Sequence, residues 1–263
     1  MSEEEYCLTF FGKQVEYCLN STCHFYVIKP GTSGLPIANG CGILLKLFDN
    51  YYCLSNAHVL GDEKIGQNFL ITGDRKKITL GGHVFFNRIN SETSRRYDRI
   101  DIAAMKLTQE TVETLKIVGY NFLNISDLRL NHSLVANDVV FIAGYPGNWS
   151  KISKSQRLII DKPFIGRSIP YTGDLSKLGL DLSYHHAIIY SRNILVDSKT
   201  KENKTGPKPH GISGSGIWLV SGGESTSTYK HELIGIFSEY IENRAVVAGI
   251  RIELFLDFLS QTP

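Results

Sequence analysis

After Cys53 the chain of 263 residues contains no cysteine. Its five thiols, Cys7, Cys18, Cys23, Cys41 and Cys53, all fall in roughly the first fifth, and their number is odd. A disulfide scaffold is excluded for the rest of the chain, and free thiols fit a reducing compartment. Cys18, Cys23, His24 and Cys41 are close in sequence, but their spacing follows no standard zinc pattern, so no metal and no cofactor is expected. A charge excess is missing too. The formal net charge of +2 is too small to imply nucleic acid or a membrane surface as partner. No apolar run approaches the roughly 18–20 residues that cross a bilayer as a helix. The start, Met1-Ser2-Glu3-Glu4-Glu5, lacks the basic-then-apolar layout of a secretory leader. These absences lead us to expect a cytoplasmic protein.

What is present is an ordinary globular composition, 42% apolar and 21% charged, arranged in many short runs of Val, Ile, Phe and Tyr broken by Gly, Asn, Asp and Pro. That is an all-β pattern. Strands are expected over 23–28, 42–48, 51–55, 69–72, 77–87 and 102–107, with His58 at the end of the third. After a short helix and connector within 109–126, six more are expected over 138–144, 157–167, 187–193, 215–220, 232–238 and 245–252. The segment 197–209, with Lys199, Lys201, Lys204 and Lys208, reads as an exposed loop. Residues 253–260 place Leu254, Phe255, Phe258 and Leu259 at helical spacing.

Three stretches carry chemistry. In Gly211-Ile212-Ser213-Gly214-Ser215-Gly216 a serine sits among glycines just before an apolar run. A hydroxyl becomes a useful nucleophile when a sharp turn presents it, a base lies in reach and amides converge on the developing oxyanion. The plain alternative is a Gly/Ser-rich hairpin loop. Leu54-Ser55-Asn56-Ala57-His58-Val59 supplies a histidine at a strand end. Asp101-Ile102-Ala103-Ala104-Met105-Lys106-Leu107 supplies an aspartate before a buried strand, with Asp98 as a nearby competitor. The order is His, Asp, Ser, at separations of 43 and 112 residues. An α/β-hydrolase needs a different order and Gly-x-Ser-x-Gly, and position 215 is serine.

These residues resemble the trypsin/chymotrypsin-like serine peptidase family. Ser55-Asn56-Ala57-His58 is similar to its Ala-Ala-His box, Asp101-Ile102-Ala103-Ala104 to its Asp-Ile-Ala-Leu box, and Gly211-Ile212-Ser213-Gly214-Ser215 to its Gly-Asp-Ser-Gly-Gly box. The resemblance implies two six-stranded antiparallel β-barrels (chymotrypsin-like) with a short C-terminal helix, divided near 1–120 and 121–263. It implies a serine endopeptidase acting on a protein or peptide, with His58, Asp101 and Ser213 as triad and the amides of Gly211 and Ser213 as oxyanion hole. Ser215 is the lesser candidate for nucleophile.

Two departures mark an intracellular, bacterial-type branch without a zymogen N-terminus. Secreted members have an aspartate where Ile212 stands, and a disulfide beside the histidine, where Val59 stands here. By the same resemblance the specificity pocket is walled by 207–210, 237–240 and 247–249. His210, Ser238, Glu239 and Tyr240 then line the substrate, and no aspartate sits at the base near Pro207 or Lys208. Gating by a regulatory protein partner or ligand is compatible with this pattern. The other function class is a catalytically silent module of the same fold, acting in protein–protein interaction.

Overall fold

The computed structural model describes residues 3–28, 34–61, 68–71, 76–87, 99–153, 158–192, 195–196, 203–222 and 229–262. Asp98, Lys199 and Lys201 lie outside the described residues. The chain begins with helix α1 (Glu3–Asn20), followed by β1 (Thr22–Ile28), β2 (Pro36–Leu47), β3 (Asn50–Ser55), the single turn α2 (Ala57–Leu60), β4 (Phe69–Ile71), β5 (Lys77–Thr79), β6 (Gly82–Phe86) and β7 (Ala103–Leu107). Helix α3 (Gln109–Ile117) leads to β8 (Val139–Gly144), β9 (Lys151–Ser153), β10 (Leu158–Ile160), β11 (Phe164–Ser168), β12 (His185–Ile189), β13 (Leu195–Val196), β14 (Asn203–Lys204), β15 (Gly216–Ser221), β16 (Lys230–Ile241), β17 (Val246–Arg251) and α4 (Ile252–Ser260).

Two curled antiparallel sheets result, ordered β5-β4-β1-β2-β3-β7-β6 and β11-β8-β15-β16-β17-β12. The second closes on itself where Ile189 N–H donates to Ile169 at 2.9 Å and Tyr171 N–H to Ala187 at 2.9 Å. Strand β11 shows the period of two that such a wall requires: Phe164, Gly166 and Ser168 are buried, Ile165 and Arg167 exposed. Each sheet wraps its own apolar interior, Phe25, Leu44, Cys53 and Leu70 in the first, Ile142, Phe164, Ile217 and Phe237 in the second. A third cluster joins them. Ile43, Leu45 and Leu54 of the first sheet meet Phe141, Trp218 and Ile236 of the second, with Cys18 from α1 and Phe255 from α4. As expected, α4 closes the chain, burying Ile252, Phe255 and Leu259 on one face.

Four details differ from the sequence expectation. The first sheet has seven strands, because the run 77–87 breaks at Leu80-Gly81. Gly81 spends its backbone groups on the start of α3: its N–H donates to Thr111 Oγ1 at 2.9 Å, and its carbonyl accepts from Thr108 N at 3.0 Å. The run 157–167 likewise breaks at Asp161-Lys162-Pro163, where proline has no N–H to give a ladder. The expected loop 197–209 contains β14, which pairs with β13 just before it in a short ribbon. Helix α1 was not anticipated. It ends where Ser21 Oγ and Thr22 Oγ1 bond the carbonyls of Tyr17 and Cys18 at 2.9 and 2.8 Å, and it lies against β1, β8 and β16. No helix among the described residues is long and apolar enough to cross a membrane.

Thr111→Val strips the hydroxyl that holds Gly81 and leaves its N–H without a partner. The unfolding free energy should fall by about 1–3 kcal/mol, read as a lower urea midpoint at unchanged slope.

Burial holds His186 down at about 3 and His231 at about 4. Both are neutral when folded but take up a proton when unfolded near pH ~6.5. The unfolded state therefore binds more protons below that point. Stability that is complete above about pH 6.5 should be lost as pH falls through these folded values. Urea melts across this window should show the decline, and His231→Phe should show a shallower one.

Candidate active site

The register of the first sheet brings His58 to Asp101. Strand β3 runs antiparallel to β7 with Ser55 opposite Ala103, so the residues that leave β3 meet those that enter β7. Asn56, fully buried, caps α2: its carbonyl accepts the amides of Val59 and Leu60, each at 3.1 Å, while its Nδ2 donates to the carbonyl of Asp101 at 3.2 Å. Asp101 is 5% exposed and both its carboxylate oxygens are engaged. Oδ1 accepts the backbone N–H of His58 at 3.1 Å, and Oδ2 accepts from His58 Nδ1. With Nδ1 donating, the neutral ring carries its lone pair on Nε2. The His58 side chain is 47% exposed, so that face is open to solvent.

Ser213 comes from the second sheet, in the turn that precedes β15. Gly211 and Gly214 bracket it at φ +86° and +88°, a region costly for residues with a Cβ. The turn is fastened on several sides. Gly214 N–H donates to Phe237 at 2.9 Å, and Ser215 N–H to Ile212 at 2.9 Å. The carbonyl of Ser213 accepts from Cys41 N–H of β2 at 2.7 Å. Cys41 also donates its thiol to the carbonyl of Gly211 at 3.3 Å, and its own carbonyl accepts from Ser55 Oγ at 2.6 Å. One residue of β2 thus ties the serine turn to the strand that delivers the histidine. The contact is close: a Cβ on Gly214 would lie 2.0 Å from the carbonyl oxygen of Cys41, and one on Gly40 would lie 3.0 Å from that of Ser213.

The structure pairs His58 with Asp101. Ser213 Oγ instead donates to the carbonyl of Ser238 at 3.4 Å, and no hydrogen bond joins it to His58 among the described residues. The amides of Gly211 and Ser213 have no acceptor among the described residues, whereas Ile212 N–H donates to Pro209 at 3.3 Å. Ser215 is fully buried, which removes it as the accessible hydroxyl. His210 and Glu239 are exposed, and Ser238 and Tyr240 half-buried. Cys18, Cys23 and Cys41 are buried, free thiols, as is Cys53. They form no metal-ligating group with His24 or with one another among the described residues.

A second network lies beside the turn. His24 Nδ1 is 3.1 Å from Asp161 Oδ2, Tyr26 and Ser150 hydroxyls donate to Asp161 Oδ1, and Tyr145 stacks on His24 with ring centroids 5.2 Å apart. Burial alone would raise the Asp161 carboxyl, but His24, Tyr26 and Ser150 outweigh it and hold it below its ordinary range. In the sequence Cys41 is weighed only as a metal ligand, Ser55 and Asn56 enter only as neighbours of His58, and Asp161 is not singled out. Only Asn56, at the head of a helical turn, carried a local signal there.

No family model and no curated protein matches the chain. Solved structures do. An HtrA-type protease, AlgW with tripeptide, is 16% identical with a TM-score of 0.51 over 95% of this chain and 62% of that one. This chain thus spans somewhat under two thirds of that protein. The serine protease domain of Sesbania mosaic virus polyprotein is 13% identical with a TM-score of 0.47, covering 91% and 93% of the two chains. The two curled sheets and the likeness to the HtrA-type protease show the two-barrel, chymotrypsin-like fold.

Gly214→Ala should cost about 2–4 kcal/mol, since positive φ and a backbone clash act together. Gly119→Ala is the control. Gly119 has φ +94° but nothing within 4 Å of a Cβ, so only the conformational cost of about 1–2 kcal/mol applies. Denaturant melts of the two variants should separate them.

Proposed function

We propose that the protein is a serine endopeptidase that cleaves peptide bonds through an acyl-enzyme, in the cytoplasm. The observation that carries this reading is the double hold of Asp101 on His58. It fixes the ring in the tautomer whose Nε2 accepts a proton, while a glycine-flanked serine is docked on the same sheet through Cys41. His58 takes the Ser213 hydroxyl proton as Oγ attacks the substrate carbonyl, and the C–N bond then breaks as His58 returns that proton to the leaving amine. Asp101 keeps the tautomer and stabilises the imidazolium. Water repeats the sequence on the ester to release the acid. The amides of Gly211 and Ser213 donate to the oxyanion. The likeness to an HtrA-type protease recorded with a tripeptide supports a protein or peptide as substrate.

Before attack, Ser213 Oγ leaves the carbonyl of Ser238 and turns to Nε2 by rotation about χ1, one staggered well to another. Arrival of the substrate, or of a regulatory protein partner, selects that rotamer.

A fluorophosphonate probe tests the reading directly. Wild-type protein should be labelled, and Ser213→Ala should not be, with an unchanged melt. Ser215→Ala should keep its label. Asp101→Asn should lower peptide turnover by about 10⁴-fold through the wrong tautomer. Labelling that persists in Ser213→Ala would place the nucleophile elsewhere.

A further inference from the structure

If Ser213 attacks a peptide carbonyl, the side chain on the acyl side of the scissile bond is attached one bond away. It must enter the space between the segment that leads into Ser213 and the strand to whose carbonyl Ser213 Oγ is bonded, β16 at Ser238–Tyr240. In this protein that space is bounded by aromatic rings. Tyr190 follows β12 directly and is 3% exposed. Its N–H is tied to Ala245 at 2.7 Å, and its hydroxyl donates to the carbonyl of Pro207 at 2.8 Å. The neighbouring pair reinforces this: Gly206 N–H donates to the carbonyl of Arg192 at 2.7 Å, and Arg192 Nε donates back to that of Gly206 at 3.1 Å. The wall at 206–207 is therefore bonded flat onto 190–192, with no gap for a long side chain between them.

The opposite wall closes in the same way. Tyr240 OH donates to the carbonyl of Tyr190 at 3.3 Å, and the two rings meet edge to face with centroids 5.7 Å apart. Tyr190 in turn meets Phe164 at 5.8 Å. Phe237 and Val247 are buried in the same apolar cluster as Tyr190, with Tyr240 packed against it, so the floor is apolar. Of the charged or ionisable side chains nearby, Lys208, His210 and Glu239 are exposed, and Arg192 is half-buried with its Nε spent on the Gly206 carbonyl. The floor residues Phe237 and Val247 carry no charged group, and a charge left unpaired against them is disfavoured.

We propose that Tyr190 and Tyr240 set cleavage specificity by filling the pocket, so that the acyl-side residue accepted is small and uncharged, alanine, serine, threonine or valine. This rests on the endopeptidase reading above and extends it to a substrate class. Tyr240 is the removable stopper, since its ring is half-buried and its single polar bond goes to a carbonyl. Tyr190 is the fixed floor.

The test compares fluorogenic peptides that share one leader and differ only in the acyl-side residue, Ala, Val, Leu, Phe, Lys or Glu, with fluorophosphonate labelling run in parallel because that probe needs no such pocket. Wild-type kcat/KM for Ala and Val should exceed that for Phe and Lys by about tenfold or more, a size a steric pocket readily supplies. Tyr240→Gly should raise the Phe-to-Ala ratio of kcat/KM by about tenfold, the melt confirming that the variant is folded. Protein that is labelled at Ser213 yet prefers Phe, Leu, Lys or Glu overturns the pocket proposal and leaves the endopeptidase reading standing. A Phe-to-Ala ratio unmoved in folded Tyr240→Gly removes Tyr240 as the determinant. Absence of both labelling and cleavage takes down the endopeptidase reading, and the pocket proposal with it.

Discussion

A carboxylate has two oxygens, and Asp101 gives one to the main chain of His58 and the other to its ring. The two bonds do different work. The first fixes where the histidine stands, the second how its ring is turned and which nitrogen carries the proton. A carboxylate 5% exposed loses most of its hydration, and partners of this kind must compensate it. The cost of burying Asp101 is thus met by the arrangement that orients His58. That arrangement depends in turn on the β3–β7 register, since a slip of one residue would turn Asp101 to the other face of the sheet.

The two sheets need a second constraint, because histidine and serine arrive on different ones. Cys41 supplies it through three groups: N–H to the Ser213 carbonyl, thiol to the Gly211 carbonyl, carbonyl to the Ser55 hydroxyl. Burial pushes its thiol up to about 12, so the sulfur stays protonated and acts as a weak donor, not as a nucleophile. The glycines at 40 and 214 follow from the same contact, since any side chain there would part the turn from β2.

The sequence made much of this legible, and unevenly. His58, Asp101 and Ser213 stand out in the sequence because each sits in a short run with a local pattern of its own, strand end, strand start and glycine turn. The all-β class followed from short apolar runs between turn residues. What stayed hidden depends on partners far along the chain. Gly81 breaks a strand only because Thr108 and Thr111 take its backbone groups. Asp161 reads as one residue of the expected strand 157–167 until His24 and Tyr26, over a hundred positions earlier, close on it. Tyr190 belongs to a run that reads as strand, and nothing local reveals that its hydroxyl reaches Pro207. Helix α1 was hidden for another reason. Its identified core residues, Val15 and Cys18, are few, and the helix is held by both sheets at once, a tertiary fact that overrides weak local propensity.

Accounting for the backbone of the serine turn, group by group, bears most directly on function. A tight turn carries many amides and carbonyls, and each needs a partner or water. Here the carbonyls of Gly211 and Ser213 go to Cys41, that of Ile212 to Ser215, and that of His210 to Gly147 N–H at 2.8 Å; the amides of Ile212, Gly214 and Ser215 go to Pro209, Phe237 and Ile212. Between Gly211 and Ser215 the amides without an acceptor among the described residues are Gly211 N–H and Ser213 N–H. Their direction is constrained as well. No peptide here is cis, and in a trans peptide the N–H points opposite to the C=O. Anchoring the His210 carbonyl on Gly147 therefore turns the Gly211 N–H away from Gly147 and frees it for an acceptor from outside the chain. Two donors left free beside a fastened serine are what a developing oxyanion requires, because they need no rearrangement at the moment of attack. On the endopeptidase reading proposed above, the bonded backbone of the turn stays in place and the Ser213 side chain turns.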